Sequence, residues 1–172
     1  MSVSTPLIFS HPAADATITL APGDFHFCAA PAQLGTLLGS CVAITLWHPQ
    51  RLLGGMCHIL LPGHVSAKET ASAAPDGRYA DAAFALFDAA MAQRDTRPRE
   101  YQARLYGGGN MFPDIKSQKL LGQQNIDAAR SFLNARGIPL MLEHTGGTGR
   151  RKLHFNLSTG EVQLHYVAPR SA

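Results

Sequence analysis

Two side chains in this sequence have the type and placement to do chemistry together. Cys41 follows a glycine–serine step in "TLLGSC", and His58 lies inside the apolar run "GGMCHILLP". Between them, "CVAITLW" alternates with period two and reads as a strand, "HPQR" reads as a turn with Pro49 at its second position, and "MCHILLP" reads as the returning strand. If this hairpin folds about the Pro49–Gln50 bond, Cys41 stands directly opposite His58. Opposed residues of an antiparallel pair share a face, with Cβ atoms about 4.5–5.5 Å apart. A thiol with a reference pKa of about 8.5 is only a few per cent thiolate at neutral pH. A facing imidazole can take its proton and later return it to a leaving group. Gly39, Ser40 and Cys41 form a candidate oxyanion loop, since glycine permits a tight turn whose N–H groups can face a developing negative charge.

Other readings of the same residues stand beside this one. Free cysteine is among the most buried residue types, and a histidine in a strand can be a satisfied core residue. A redox sensor would use Cys41 without His58. A zinc site from Cys41, Cys57 and His58 is disfavoured because the chain has no compact CxxC pair. Cys57 neighbours His58 in a strand, so it is expected on the opposite face as packing. The β-branched run after Cys41 argues for a strand, unlike the papain-like enzymes, whose cysteine opens a helix.

The elements that must hold these groups form an α/β pattern. "ATITL" and "FHFC" are short alternating stretches around a "PGD" turn, with Ile18 and Leu20 on one face, His26 at a surface or edge and Cys28 in packing. In "YADAAFALFDAAMAQRD", Ala80, Phe84, Phe87 and Met91 fall on one helix face. "YQARLYGGG" is a strand entering a glycine turn. "NIDAARSFLNARGIPL" is a second amphipathic helix with Ile126, Ala129 and Leu133 inward, Arg136 in its last turn and Gly137 closing it. "LMLEHTGG" is a strand, and "KLHFNLSTGEVQLHYV" is a terminal hairpin carrying His154 and His165 as structural residues. The polar, alanine-rich stretch from Gly63 to Gly77 is expected to be a loop. Residues 1–16 are expected to be a loose, flexible extension, 17–168 a single domain and 169–172 a tail.

Bulk properties exclude several classes. A formal charge of +3 is too small to argue for nucleic acid. The densest cationic cluster, Arg150, Arg151 and Lys152, is expected in a solvated loop. Three cysteines at wide spacing do not make a disulfide framework. The chain opens with no secretory signal pattern, and no apolar run approaches the roughly 18 residues of a membrane span. The expectation is a cytoplasmic protein in a reducing compartment.

Taken in order, "TLLGSCVAITLWHP", "GGMCHILLP", "GGGNMF", "GQQNIDAAR" and "GIPLMLEHTGGTGRRKLHFNLSTGEV" resemble the CheD family, the chemoreceptor glutamine deamidases of bacterial chemotaxis. The motifs run from about Gly35 to Val162. The resemblance implies a layered α/β sandwich of mixed β-sheets with flanking helices, similar to the deamidase domain of cytotoxic necrotising toxins. It implies conversion of particular glutamines on cytoplasmic receptor helices to glutamate, with the cysteine of the GSC motif, Cys41, as nucleophile and His58 as base. No metal and no organic cofactor is expected. A CheC-type phosphatase partner is implied for some members, so an adaptor that turns over little is the alternative function. One departure stands out: the family often has a threonine six residues before the cysteine, where this chain has Gly35, with Thr36 one place later. Thr36 or Ser40 is then the candidate to orient the imidazole, against a simple turn hydroxyl. The "GGGNMF" and "HTGGTGRRK" loops are the candidate rim for the receptor helix, with Asn110 placed to donate to a substrate carbonyl and the arginines to meet acidic residues.

Overall fold

The computed structural model describes residues 16–63 and 75–170. All but the last residue of the extension expected over residues 1–16, and most of the loop expected between Gly63 and Gly77, lie outside the described residues. Among the described residues, nine strands form two sheets. The first contains β1 (Thr17–Leu20), β3 (Gln33–Leu38), β8 (Arg150–Asn156) and β9 (Val162–Val167), in the order β1-β3-β8-β9. The second contains β2 (Phe25–Ala29), β4 (Val42–His48), β5 (Leu53–Ile59), β6 (Gln102–Gly107) and β7 (Leu140–Thr145), in the order β2-β5-β4-β6-β7. Both sheets are mixed, because β1 runs parallel to β3 and β6 parallel to β7 while the other pairs are antiparallel. Helices α1 (Ala80–Ala92) and α2 (Lys116–Ala135) complete a single α/β domain.

The second sheet is the middle layer, and its two faces feed two cores. On one face, Val42, Ile44, Leu46, Cys57 and Ile59 pack against Phe84, Phe87 and Met91 of α1 and against Ile126, Ala129 and Leu133 of α2. On the other, Ala43, Met56 and Tyr106 pack against Leu34, Leu38, Leu153 and Phe155 of the first sheet. The period-two alternation explains this directly, since odd and even positions of β4 and β5 serve different cores. The inward face predicted for each helix is the buried one. Arg136, expected in the last turn of α2, caps its C-terminal end, followed by Gly137 at φ +65°. It forks onto Asp88 of α1 at 2.6–2.7 Å and lies over Phe84 and Phe132, which ties the helices together.

Three local expectations need correction. The β4–β5 hairpin does not fold about Pro49–Gln50: His48 pairs with Leu53, so Pro49–Leu52 form a four-residue loop. Leu52 closes it in the left-handed region at φ +49°, its N–H bonded to the His48 carbonyl at 2.9 Å. No glycine marks that turn, so the loop length could not be read from residue types. The triplet Arg150–Lys152 is strand, not loop, and alternation buries its central member. Arg151 is 2% exposed, donates to His144 Nδ1 at 2.9 Å and to the Gly146 carbonyl at 2.6 Å, and lies 5.0 Å over the Tyr166 ring. Finally, α2 begins at Lys116, well before Asn125 where the periodic stripe starts. Its first turns are polar and carry exposed Leu120, so they lack the apolar face that reveals a helix.

Candidate functional site

Thr36, His58 and Cys41 come from three adjacent pieces of chain at one end of the inter-sheet layer. In β3, Leu34, Thr36 and Leu38 are buried on one face, whereas Leu37 on the other is 66% exposed. Thr36 therefore faces inward. Gly35 faces the other way, where an added Cβ would stand 3.0 Å from Thr17 Cγ2. Of the two neighbours, Thr36 is the one whose side chain points into the sandwich. Thr36 Oγ1 lies 2.8 Å from His58 Nδ1 and 2.7 Å from the Leu20 carbonyl oxygen.

These two contacts determine the imidazole tautomer. A hydroxyl has one hydrogen, and the Leu20 carbonyl can only accept, so Thr36 donates to Leu20. The Thr36 oxygen must then accept from His58 Nδ1–H. Neutral His58 is left with a bare lone pair on Nε2, and that atom is buried without a hydrogen-bond partner. The backbone of His58 is clamped by the β1–β2 turn, with Gly23 N–H donating to its carbonyl at 2.9 Å and its own N–H donating to the Asp24 carbonyl at 3.1 Å. Burial pushes the His58 pKa below its ordinary 6.5, partly offset by the Leu20 contact and the Asp24 charge. The resting ring is neutral at pH 7 and acts as an acceptor.

The register correction moves Cys41 relative to His58. Ala43, not Cys41, stands directly opposite His58. Cys41 precedes Ala43 by two, so it keeps the same face and becomes the diagonal neighbour of the ring. Such positions lie about 7–8 Å apart at Cα, with closer Cβ atoms, within reach of long side chains. The slip is by two residues, and an even slip preserves parity. Ala43 itself sits between His58 and Tyr106 across three strands. Tyr106, buried and with its pKa pushed up to about 12 by burial, pairs with Ala43 on the side away from His58; the sequence reading did not single it out.

Cys41 is partly buried, and burial raises its thiol pKa while its own backbone N–H pulls it down. Cys57, one residue from His58, faces the helices and is fully buried, with a pKa pushed up to about 12. Cys41, Cys57 and His58 therefore do not converge, which rules out the zinc arrangement among them. Among the described residues, no group of three or more His, Cys, Asp or Glu gathers as a metal site.

The two glycine loops expected as a rim are joined to each other and to the cysteine loop by backbone hydrogen bonds. Gly108 N–H donates to the Cys41 carbonyl at 2.8 Å, and Gly109 N–H to the Gly39 carbonyl at 2.9 Å. Asn110 N–H donates to the Gly147 carbonyl at 2.8 Å, which joins the two glycine loops. Asn110, Gly108, Gly147, Lys119 and Gln123 line a cleft of about 260 Å³. Asn110 Oδ1 is buried there without a partner. The carbonyl of Ser40 accepts from Asn125 Nδ2 at 3.3 Å, and that amide also reaches the Leu60 carbonyl at 2.9 Å. Asn125 is wholly buried and was missed in the sequence, although it lies on the same stripe as Ala129 and Leu133. An amide on the apolar stripe of a helix, where asparagine is a poor former, was the available signal.

The family described as CheD chemotactic sensory transduction matches residues 60–166. A "Probable chemoreceptor glutamine deamidase CheD 3" of Dechloromonas aromatica (strain RCB) is 47% identical over 87% of this chain and 86% of its own length. A "Probable chemoreceptor glutamine deamidase CheD" of Pseudomonas fluorescens (strain SBW25) is 41% identical over 90% of this chain and 87% of its own. A more distant relative, "Probable chemoreceptor glutamine deamidase CheD 2" of Geobacter sulfurreducens, is 35% identical over 86% of this chain and 88% of its own. On a family match over most of its length and relatives this similar along nearly all of it, the chain belongs to the CheD family.

Proposed function

We propose that this protein converts glutamine side chains on the cytoplasmic helices of chemoreceptors to glutamate, with Cys41 as nucleophile, His58 as general base and acid, and Thr36 as the group that orients the imidazole. The observation that carries this reading is the relay from the Leu20 carbonyl through Thr36 to His58 Nδ1, which leaves Nε2 as an unpartnered base on the face shared with Cys41. A buried acceptor without a partner costs about 1–3 kcal/mol, a cost that folding alone has no reason to keep.

The steps follow from the protonation states. Cys41 starts as a thiol and His58 as a neutral ring. Nε2 takes the Sγ proton as sulfur attacks the carboxamide carbon of the substrate. The oxyanion that forms is met by backbone N–H groups of the Gly39–Ser40–Cys41 loop. The imidazolium then protonates the amide nitrogen, the C–N bond breaks, and ammonia departs, leaving a thioester on Cys41. Water enters, gives a proton to Nε2 and attacks the thioester carbon. The sulfur leaves as the thiol on recovering that proton, and glutamate is released. Asn110, with its free Oδ1 and its amide at the cleft between the two glycine loops, is the group to hold the substrate carboxamide or an adjoining backbone.

The substrate makes the cytoplasm the place of action. Among the described residues, no helix is long and apolar enough to cross a membrane. A CheC-type phosphatase is the second candidate partner. Incubation with a receptor cytoplasmic fragment and peptide mass spectrometry tests the reading. Conversion that disappears in Cys41→Ala and in His58→Ala is expected. Binding of the fragment by the native protein with every glutamine unchanged would replace the enzyme by an adaptor, and peroxide sensitivity that tolerates His58→Ala would replace it by a redox sensor.

A further inference from the structure

Asn125 stands apart from the proposed reacting groups, yet it bonds to both pieces of chain that carry them. It is fully buried on α2, beneath the second sheet on the side away from His58. Nδ2 donates to the Ser40 carbonyl, whose peptide continues into Cys41, and to the Leu60 carbonyl, two residues beyond His58. The helix can come this close because Gly122 and Gly108 meet without side chains: a Cβ on Gly122 would stand 2.6 Å from the Gly108 carbonyl oxygen, and Gly108 itself adopts φ +66°.

The Ser40–Cys41 peptide is trans, so its C=O and N–H point in opposite directions. A carbonyl held toward the helix layer therefore turns the Cys41 N–H toward the inter-sheet layer, the side on which His58 and the Cys41 sulfur lie. The sulfur does feel that N–H, which lowers the pKa that burial raises. We infer that Asn125 is a positioning residue: by gripping the Ser40 and Leu60 carbonyls it aims the Cys41 N–H at the place where an oxyanion forms. The inference rests on the proposed thiol chemistry but not on the identity of the substrate.

Two reactions of the same sulfur separate aim from general integrity. Acylation by p-nitrophenyl acetate passes through a tetrahedral oxyanion, whereas alkylation by iodoacetamide is a direct displacement that forms none. In the full chain, Asn125→Leu is expected to slow Cys41 acylation on the order of 100-fold. Its alkylation rate and the pH profile of that rate should stay within about two-fold of native, since an oxyanion donor contributes only where an oxyanion forms. Asn125→Ser, which is smaller and keeps one donor, should fall between and covers the case in which the leucine variant does not fold. Acylation at the native rate in both variants, or acylation and alkylation falling in parallel, would overturn the inference. The native protein's action on receptor glutamines is scored separately. If it converts none while acylation and alkylation still diverge in the variants, the substrate reading fails and the role of Asn125 stands.

Discussion

Cys41 and Cys57 lie on opposite faces of the same sheet, and the contrast between them shows what makes a thiol useful. Cys57 is adjacent to His58 in sequence, but adjacency in a strand sends it to the other side. There it is enclosed by α1, α2 and the apolar positions of β4, with a thiol pushed up to about 12 and no titratable neighbour shifting it. Cys41 is far from His58 in sequence and shares its face. It sits at the end of the inter-sheet layer, partly open, on the face shared with His58, whose Nε2 has no hydrogen-bond partner. The helix-side core is closed and apolar. The inter-sheet core admits Thr36, His58 and Arg151 at one end, because two strands of different sheets bring hydroxyl, imidazole and carbonyl into mutual hydrogen-bonding range.

The largest expected effect tests that contrast directly. Cys41→Ala and His58→Ala should each lower glutamine conversion by 10²-fold or more on the order-of-magnitude scale of general acid–base and nucleophilic groups. Cys57→Ala should leave kcat within about two-fold, since its sulfur touches only packing atoms. Mass spectrometry of receptor peptides over time reads all three, and equal losses in Cys41→Ala and Cys57→Ala would erase the distinction between the faces.

Next comes the orientation of the ring. Thr36→Val keeps shape and removes the oxygen that accepts from Nδ1, so the tautomer with a bare Nε2 loses its support. A fall in kcat of roughly 10- to 100-fold, with KM little changed, is expected for a base displaced but not deleted. Thr36→Ser should restore most of it. Steady-state kinetics on the receptor fragment would show this, and a serine variant no better than valine would argue against the hydroxyl.

A smaller effect appears in stability. Cys57→Ala opens a void in a closed core and should cost roughly 1–3 kcal/mol in urea unfolding, with native Cys57 unreactive to iodoacetamide while Cys41 is alkylated. Rapid labelling of Cys57 in the folded protein would contradict its enclosure.

The mildest effect is on pH. The folded pKa of His58 is lowered by burial, so the unfolded chain holds more protons between that value and 6.5, and stability rises with pH there. This contribution is fully present above 6.5 and is lost as the pH falls through the folded value. For Cys41 the folded pKa is raised, so its contribution is full below the ordinary thiol value of 9.0 and is lost as pH rises through the folded value. Activity needs one proton on the pair, so kcat/KM should show a wide plateau, its acid limb below pH 6.5 and its alkaline limb above 9.0. An acid limb above 6.5 would mean that the ring is stabilised as a cation.

Residue types and short-range periodicity were enough to determine which side chains share a face: Cys41 with His58, Cys57 away from both, Phe84 and Phe87 toward the sheet, Ile126 and Leu133 opposite them. These follow from periods of 2 and 3.6, which any strand or helix must obey. Tertiary structure alone decided the rest. It set the exact pairing of the hairpin, because a left-handed Leu52 lengthens the loop without a glycine to announce it. It placed β3 in the other sheet, so that Thr36 reaches His58 across the sandwich. It brought α2 close enough for Asn125 to grip two carbonyls of distant loops. Parity is a local property of the backbone and is written in the order of residues, but distance between segments is the outcome of packing two sheets and two helices at once, and no stretch of chain carries it alone.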